Sequence, residues 1–195
     1  MITAGQIQYL QQQIACDDQQ AYKVLFTALY PYLYPFALAL VKTKEPAEEV
    51  VSDVFIKVWE KRKELPKIEN LRLYLYVTTR HIALNYLDKQ KRKPTRPLDG
   101  FQQAELISVH LDPEQLLITA DMMAMLRKAI DQLPPKCKVI FKLVKEDGLK
   151  YREVAEILGI SVKTVENQLA IALHKLSSVV DFDIKKALPT PIKSC

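Results

Sequence analysis

Apolar side chains recur at helical spacing along most of this chain. The clearest run has the spacing i, i+3, i+4, i+7, i+8 and i+11, and it consists of Ala47, Val50, Val51, Val54, Phe55 and Val58. Such spacing predicts one buried stripe on a helix that begins near Pro46, because a first helical turn tolerates proline. The side chains left on the solvent side are Glu49, Ser52, Asp53, Ile56, Lys57 and Glu60. Few segments alternate with the period of a strand, so an all-α fold is predicted.

The segment before this helix is apolar and contains two prolines. Asp17 or Asp18 is suited to cap a helix that starts directly after it. Pro31 and Pro35 are expected to break or kink that helix, because proline lacks the backbone N–H that a helix uses. The apolar stretch around residues 29–41 is therefore expected to be too short to span a bilayer, which needs about 20 residues.

Five more helices and two non-helical segments complete the predicted organisation. The helices cover residues 71–91, 116–130, 136–146, 151–158 and 162 to about 179. Segments with proline, at residues 65–70 and 92–115, separate the earlier helices. The predicted divisions are a first domain at 1–92, a flexible linker at 93–115, a second domain at 116–180 and a tail at 181–195.

The most informative motif occupies residues 151–169. A short helix, a turn at Gly159 and a second helix capped by Ser161 are typical of a helix-turn-helix. The side chains expected to be buried are Val154, Ala155, Leu158, Ile160, Val162, Val165, Leu169, Ala172 and Leu176. The outer face of the second helix is short and polar, as a reader of the DNA major groove requires. A helical hairpin within a protein-binding bundle is the alternative.

The rare residue types exclude several classes of function. The four glycines lack the spacing of a Rossmann fingerprint, a P-loop or a nucleophile elbow. The three histidines and three cysteines do not cluster at metal-ligand spacing. No metal site, no cofactor and no enzymatic activity are therefore predicted. The cysteines fit a reducing compartment and no signal peptide is evident, so a cytoplasmic protein is predicted.

Charge is distributed unevenly along the chain, whose formal net charge is +5. Residues 45–53 carry four acids and no base, whereas residues 67–96 carry eight bases and two acids. Residues 97–126 then carry five acids and no base. Two basic bodies joined by an acidic connector are typical of a protein that holds one polyanion at two places.

Two parts of the chain resemble one protein family. Residues 133–167, from Leu-Pro-Pro-Lys to Lys-Thr-Val-Glu-Asn, are similar to region 4 of bacterial sigma factors. Residues 47–59 resemble the region 2 helix that grips the clamp helices of RNA polymerase. Residues 71–92 resemble the region 2 segment that opens and reads the minus-ten element. No region 3 lies between them, which is typical of the extracytoplasmic function (ECF) group of the sigma-70 family.

This resemblance implies both a function and a set of partners. It implies a sigma factor that directs core RNA polymerase to specific promoters and initiates transcription in response to an extracytoplasmic signal. The implied partners are core RNA polymerase, promoter DNA and an anti-sigma factor, membrane-bound or not. No catalysis of its own and no small-molecule substrate are implied, because bond formation belongs to the polymerase.

The resemblance also implies three sets of contact residues. Polymerase contacts are expected at Glu48, Glu49, Ser52, Asp53, Ile56 and Lys57. Contacts with the minus-ten DNA are expected at Lys67, Asn70, Arg72, Tyr74, Arg80, His81, Lys89, Lys91 and Arg92. Contacts with the minus-thirty-five DNA are expected at Lys150, Tyr151, Arg152, Lys163, Thr164, Glu166, Asn167, Ala170, His174 and Lys175.

The chemistry of these residues agrees with the implied contacts. A factor that holds unstacked bases needs aromatic rings interleaved with cations, and Tyr74 and Tyr76 suit either that task or core packing. The loop at residues 65–70 corresponds to the family's pocket for a flipped-out base. In the second domain, Asn167 suits adenine and Glu166 suits cytosine. The arginines common on the family's recognition helix are absent, so arginine–guanine contacts are not expected.

Two other functions stay open at the level of the sequence. One is a conventional helix-turn-helix regulator whose N-terminal half senses a signal or dimerises. Such a regulator binds duplex DNA unaided, whereas a sigma factor binds weakly without polymerase. The other is a protein-interaction module whose basic charge is incidental, which predicts no effect on transcription initiation.

Overall fold

The structure is a computed structural model that describes residues 2–92 and 120–187, with the side chains of residues 2–90 and 124–177. All regular secondary structure within those ranges is helical, and the chain divides into two compact units. The predicted all-α fold class is confirmed. The predicted linker, residues 188–195 of the predicted tail, and the side chains of Lys91 and Arg92 lie outside the described residues.

The N-terminal unit is built from four α-helices and one 3₁₀ helix. These are α1 (Ala4–Ala15), α2 (Gln19–Val41), α3 (Lys44–Glu60), the 3₁₀ helix Arg62–Lys67 and α4 (Leu71–Arg92). Helix α2 packs against α1, α3 and α4, while α1 also packs against the 3₁₀ helix. The predicted stripe of α3 is confirmed, because all six of its apolar side chains are buried.

Helix α2 continues through both prolines, so of the predicted break or kink the break is wrong. Each proline removes one backbone N–H from the helical hydrogen bonds. Burial of the neighbouring side chains Leu33 and Phe36 in the core offsets that loss. Asp18 is the N-cap, and its carboxylate accepts hydrogen bonds from the N–H groups of Gln20 and Ala21 at 2.8 and 3.0 Å.

Because α2 does not break, its apolar residues belong to one continuous helix of 23 residues, which is longer than the sequence predicted. Among the described helices it is the one with the length and hydropathy of a membrane span, at a mean hydropathy of 1.7. However, 44% of that window is buried within the chain, against three neighbouring helices. A core helix of a soluble protein meets the same criteria of length and hydropathy.

The C-terminal unit is a smaller helical assembly. It contains α5 (Ala120–Asp131), α6 (Pro135–Phe141), a π-helical turn (Lys142–Glu146), α7 (Tyr151–Leu158) and α8 (Val162–Ala187). Both α5 and α6 pack against α8. Gly148 has a φ of 67°, the left-handed cap that the sequence predicted.

The last helix is longer than predicted. The sequence indicated an end near residue 179, but α8 continues to Ala187, so residues 181–187 of the predicted tail are helical. No proline or glycine interrupts the chain between the predicted end and Pro189, and the helix therefore has no local signal to stop earlier.

An ionic cluster joins the α1–α2 turn to the 3₁₀ helix. The carboxylate of Asp17 accepts hydrogen bonds from the Arg62 guanidinium and from Lys63 Nζ, the latter at 2.8 Å. Lys63 Nζ also donates to the carbonyl of Ala15 at 2.8 Å. The hydrogen bonds from Arg62 and then Lys63 lower the pKa of Asp17 from 3.8 to about 2.

Replacing Asp17 with Asn is expected to destabilise the folded chain at neutral pH and to have little effect near pH 2. Because folding lowers the pKa of Asp17, its carboxylate stabilises the folded state above pH ~4, and this contribution is lost as pH falls through about 2. Chemical denaturation of both chains across this range measures the effect. Glu69→Gln, at an exposed carboxylate of the same unit, is the control. A stability difference that is equal at both ends of the range would contradict the prediction.

Candidate protein and nucleic-acid interfaces

The predicted polymerase contacts form one exposed face of α3. Glu48, Glu49, Ser52, Asp53, Ile56 and Lys57 are all exposed, opposite the buried stripe. Ile56 is 53% exposed, although isoleucine is usually buried. The structure therefore brings this whole set together, and we call it the α3 face.

Two tyrosines of α2 lie beside the acidic end of the α3 face. The rings of Tyr30 and Tyr34 are stacked, with centroids 5.5 Å apart. Burial raises the pKa of Tyr30, and the nearby Glu48 carboxylate raises it further. Burial also raises the pKa of Tyr34, again with a contribution from Glu48.

A groove of about 550 Å³ lies between α3 and α4. Its lining residues are Glu49, Val50, Asp53, Lys57, Ile82, Asn85, Tyr86, Lys89 and Gln90. Acidic side chains of the α3 face thus share one groove with Lys89, which the sequence predicted as a DNA contact.

The predicted minus-ten contacts differ in how accessible they are. Lys67, Asn70, His81 and Lys89 are exposed, whereas Arg72, Tyr74 and Arg80 are half-buried. The Arg72 guanidinium lies 5.8 Å from the centroid of the Tyr32 ring. Asn70 also has a structural task, because its side-chain oxygen accepts a hydrogen bond from the N–H of Leu73 at 3.0 Å and caps α4.

Tyr74 and Tyr76 of α4 have different environments. Tyr76 is 1% exposed and packs edge-on against Phe36, with ring centroids 5.3 Å apart. Tyr74 is half-buried. Tyr76 therefore belongs to the core, and Tyr74 is the one of the pair whose ring reaches solvent.

Sequence reasoning missed Gln11, which supports the loop at residues 65–70. The prediction of a non-helical segment there is wrong for residues 65–67, which form the end of the 3₁₀ helix, and the name of the loop is kept for the whole segment. Its side chain is 3% exposed, and Nε2 donates hydrogen bonds to the carbonyls of Leu65 and Ile68, at 2.6 and 2.9 Å. The available signal was its place in the helical stripe of α1, where Ile7, Leu10 and Ile14 are the other buried members. A polar side chain at a stripe position indicates a buried partner.

The helix-turn-helix has the predicted local geometry. Gly159 has a φ of 64°, and the N–H of Ile160 donates to the carbonyl of Ala155 at 3.0 Å. The hydroxyl of Ser161 accepts a hydrogen bond from the N–H of Thr164 at 3.0 Å, which confirms Ser161 as the cap.

Burial in this motif follows the sequence only in part. The predicted residues that are buried are Val154, Ala155, Val165, Leu169, Ala172 and Leu176, while Leu158 and Ile160 are half-buried. Val162, the first residue of α8, is exposed rather than buried. Ile157 is fully buried, although the sequence analysis did not single it out.

All ten predicted minus-thirty-five contacts are exposed. Lys163 Nζ lies 3.3 Å from a carboxylate oxygen of Glu166, an exposed pair of small energetic value. The Thr164 hydroxyl is 2.8 Å from that of Ser161, and the N–H of Lys150 donates to Glu153 at 2.7 Å. The predicted contact residues of α8 therefore lie on its exposed face. Three of them, Lys163, Thr164 and Glu166, already contact neighbouring side chains.

Comparison with known proteins identifies the family. A family model described as "Sigma-70 region 2" matches residues 25–93, and one described as "Sigma-70, region 4" matches residues 123–176. Together the two models match more than half of the chain. The chain belongs to the sigma-70 family.

Individual relatives support the ECF group. The ECF RNA polymerase sigma-E factor of Escherichia coli K12 is 23% identical over 179 residues, covering 89% of this sigma factor and 93% of that protein. The probable RNA polymerase sigma factor RfaY of Xanthomonas campestris pv. campestris is 27% identical over 163 residues, which cover 81% of this chain and 40% of RfaY. The sequence-based identification as an ECF sigma factor that directs RNA polymerase to promoters is confirmed, and a stand-alone regulator is not favoured.

Two solved structures share the fold. CnrH in complex with the cytosolic domain of CnrY covers 91% of this sigma factor and 99% of that chain, at a TM-score of 0.52 and 22% identity. The sigma factor RpoE from Bartonella quintana, in complex with the anti-sigma factor NepR, covers 83% and 98%, also at 0.52 and 22%. At this identity the likeness supports the fold.

Proposed function

We propose that the α3 face is the surface by which this sigma factor binds core RNA polymerase. The observation that carries the proposal is the division of α3 into a wholly buried stripe and a wholly exposed polar strip. The exposed carboxylates of Glu49 and Asp53 are free to meet cationic side chains of a partner, and Ile56 adds an apolar contact. Charge complementarity of this kind gives both a fast association and a specific orientation.

We propose that α4 and the loop before it contact the minus-ten element. Tyr74 offers a ring for stacking against an unpaired base, and Arg80 and Lys89 offer cations for the backbone beside it. The loop at residues 65–70 holds the flipped-out base. Support comes from its exposed residues Pro66, Lys67 and Glu69, whose flanking backbone is anchored in the core.

We propose that α8 reads the minus-thirty-five element with its exposed outer face. Asn167 is suited to a bidentate contact with adenine, and Glu166 to accepting a hydrogen bond from cytosine. Lys163 and Lys175 contact phosphates, which supply affinity without sequence information. Lys163 separates from Glu166 when it does so, at small cost because the pair is exposed.

We also propose how the factor is used in the cell. It acts in the cytoplasm, performs no catalysis of its own and answers an extracytoplasmic signal through an anti-sigma factor. Support for such a partner comes from the structural likeness to RpoE, which was solved in complex with the anti-sigma factor NepR. If the partner covers the α3 face, it competes with core polymerase in a binding assay.

Asn167→Ala is expected to relax base preference at one or two positions of the minus-thirty-five element, by ~1–3 kcal/mol of discrimination. Lys175→Ala is expected to weaken binding to all sequences alike and to reduce the salt slope by about 1, because one phosphate contact is lost. Run-off transcription with core polymerase on a library of randomised promoters measures both effects.

The exposed residues Gln132 and Lys145 provide matched controls in the same unit. Gln132→Ala and Lys145→Ala are expected to leave base preference and salt slope unchanged. If Asn167→Ala behaves like Gln132→Ala, α8 docks on the DNA backbone and does not read bases directly through Asn167.

A further inference from the structure

We infer that Gln11 is a positioning residue that holds the loop at residues 65–70 in the shape that reads the minus-ten element. The inference rests on the proposed function of that loop and goes beyond it, because Gln11 lies in α1, far from the loop in the sequence. It makes the first helix of the chain part of the promoter-reading apparatus without any contact between that helix and DNA.

The hydrogen bonds of Gln11 specify the loop geometry. One amide nitrogen donates to two carbonyls, Leu65 at 2.6 Å and Ile68 at 2.9 Å, and so uses both of its hydrogens. The residue is 3% exposed, so water does not compete for these donors. The two carbonyls are three residues apart, and fixing both sets the curvature of the backbone between them.

The loop is also held from within. The N–H of Ile68 donates to the carbonyl of Leu65 at 3.0 Å, and the Leu65 side chain is fully buried. At the far end, Asn70 caps α4. The exposed residues at positions 66, 67 and 69 therefore project from a backbone that is anchored on both sides. A reading site needs this pre-organisation, because a loose loop spends binding free energy on its own ordering.

A second set of contacts ties the same segment to the α1–α2 turn. Lys63 Nζ donates to the carbonyl of Ala15 and to Asp17, each at 2.8 Å. The Arg62 guanidinium pairs with Asp17, donates to the carbonyl of Trp59 at 2.9 Å and lies 4.8 Å from the Trp59 ring. These contacts tie the 3₁₀ helix to the α1–α2 turn and so support the loop from its N-terminal side.

A purely structural role for Gln11 predicts a different result from a positioning role. If Gln11 only stabilises the fold, its removal lowers the unfolding free energy and reduces transcription from all promoters in the same proportion. If it positions the loop, its removal changes the ratio between promoters that differ in the minus-ten element. Base preference is therefore the readout that separates the two roles.

The experiment compares Gln11→Leu with Gln12→Leu in the full chain bound to core polymerase. Gln12 is the next residue of α1 and is exposed, which makes it a matched control. Run-off transcription is measured from promoters randomised across the minus-ten element. With Gln11→Leu, the preference for the best base over the next is expected to fall about tenfold at the position the loop reads, a loss of the size that one base contact supplies. Gln12→Leu is expected to stay within about twofold of the original chain at that position.

Further variants decide the remaining outcomes. Lys63→Met loosens the same segment from its exposed side and serves if Gln11→Leu does not fold, with an expected loss of preference of about two- to threefold. Unchanged minus-ten preference in a folded, polymerase-bound variant overturns the inference.

The pair Lys67→Ala and Glu69→Ala tests the loop itself. If that pair relaxes the preference and Gln11→Leu does not, the proposed function of the loop stands and the role of Gln11 is wrong. If neither relaxes it, both fall.

Discussion

Core RNA polymerase is expected to lose this sigma factor when Glu49 and Asp53 are both replaced by lysine, with affinity falling by about 100-fold. Each replacement puts a positive charge where the partner surface is expected to be cationic, and like charges facing each other cost several kcal/mol. Both side chains are exposed on the side of α3 opposite the core. The reversal should therefore leave the fold intact, because exposed charges contribute little to stability.

Co-purification and a titration of labelled sigma factor with core polymerase measure the loss. The control reverses two other exposed acids of the same unit, Glu64→Lys and Glu69→Lys, which lie outside α3. This control keeps the same change in net charge, so a general electrostatic effect would lower both affinities. Unchanged affinity in the folded Glu49→Lys and Asp53→Lys chain would remove the α3 face as the polymerase contact.

Truncating Tyr74 and Tyr76, two of the three tyrosines of α4, is expected to have different consequences. Tyr76→Ala should destabilise the N-terminal unit by about 3–5 kcal/mol, the range for removing a large buried aromatic side chain. Its ring is fully enclosed and packs on Phe36. Tyr74→Ala should cost less than half as much stability, because its ring is only half-buried. Its main effect is expected on promoter opening, through the loss of a stacking surface worth ~1–3 kcal/mol for one base.

Urea denaturation and permanganate footprinting of the open promoter separate the two effects. Tyr74→Phe keeps the ring and is expected to retain opening, which distinguishes stacking from a contact of the hydroxyl. A Tyr74→Ala chain that is folded, binds polymerase and opens promoters at the original rate would assign Tyr74 to packing alone.

Several parts of the fold follow directly from local sequence patterns. The stripe of α3 and the turn at Gly159 depend on residues no more than a few positions apart, and helical periodicity reports such relations. Ser161, and Asp17 or Asp18, were predicted as caps for the same reason, because a cap bonds to N–H groups two or three residues away, and the structure selects Asp18. The exposed faces of α3 and α8 consist of the residues that lie outside those buried stripes.

Other features depended on packing that no local pattern contains. Pro31 and Pro35 signal a break, yet burial of α2 against three helices maintains one helix of 23 residues. The sequence also indicated an end of α8 near residue 179, yet no proline or glycine there breaks the helix, which continues to Ala187. For α2, tertiary packing overrode the local preference of proline against a helix interior. For α8, the helix continued because its sequence contains no helix breaker.

The sequence by itself determined the helical class, the helix-turn-helix and the two resemblances to sigma regions, since these depend on short-range spacing and residue type. Only the tertiary structure decided that Tyr76 is core while Tyr74 reaches solvent, two residues away on the same helix. It alone paired Gln11 with carbonyls 54 and 57 residues further along the chain. The physical reason is that burial and long-range hydrogen bonds arise from the packing of several helices at once, which the periodicity of one helix does not encode.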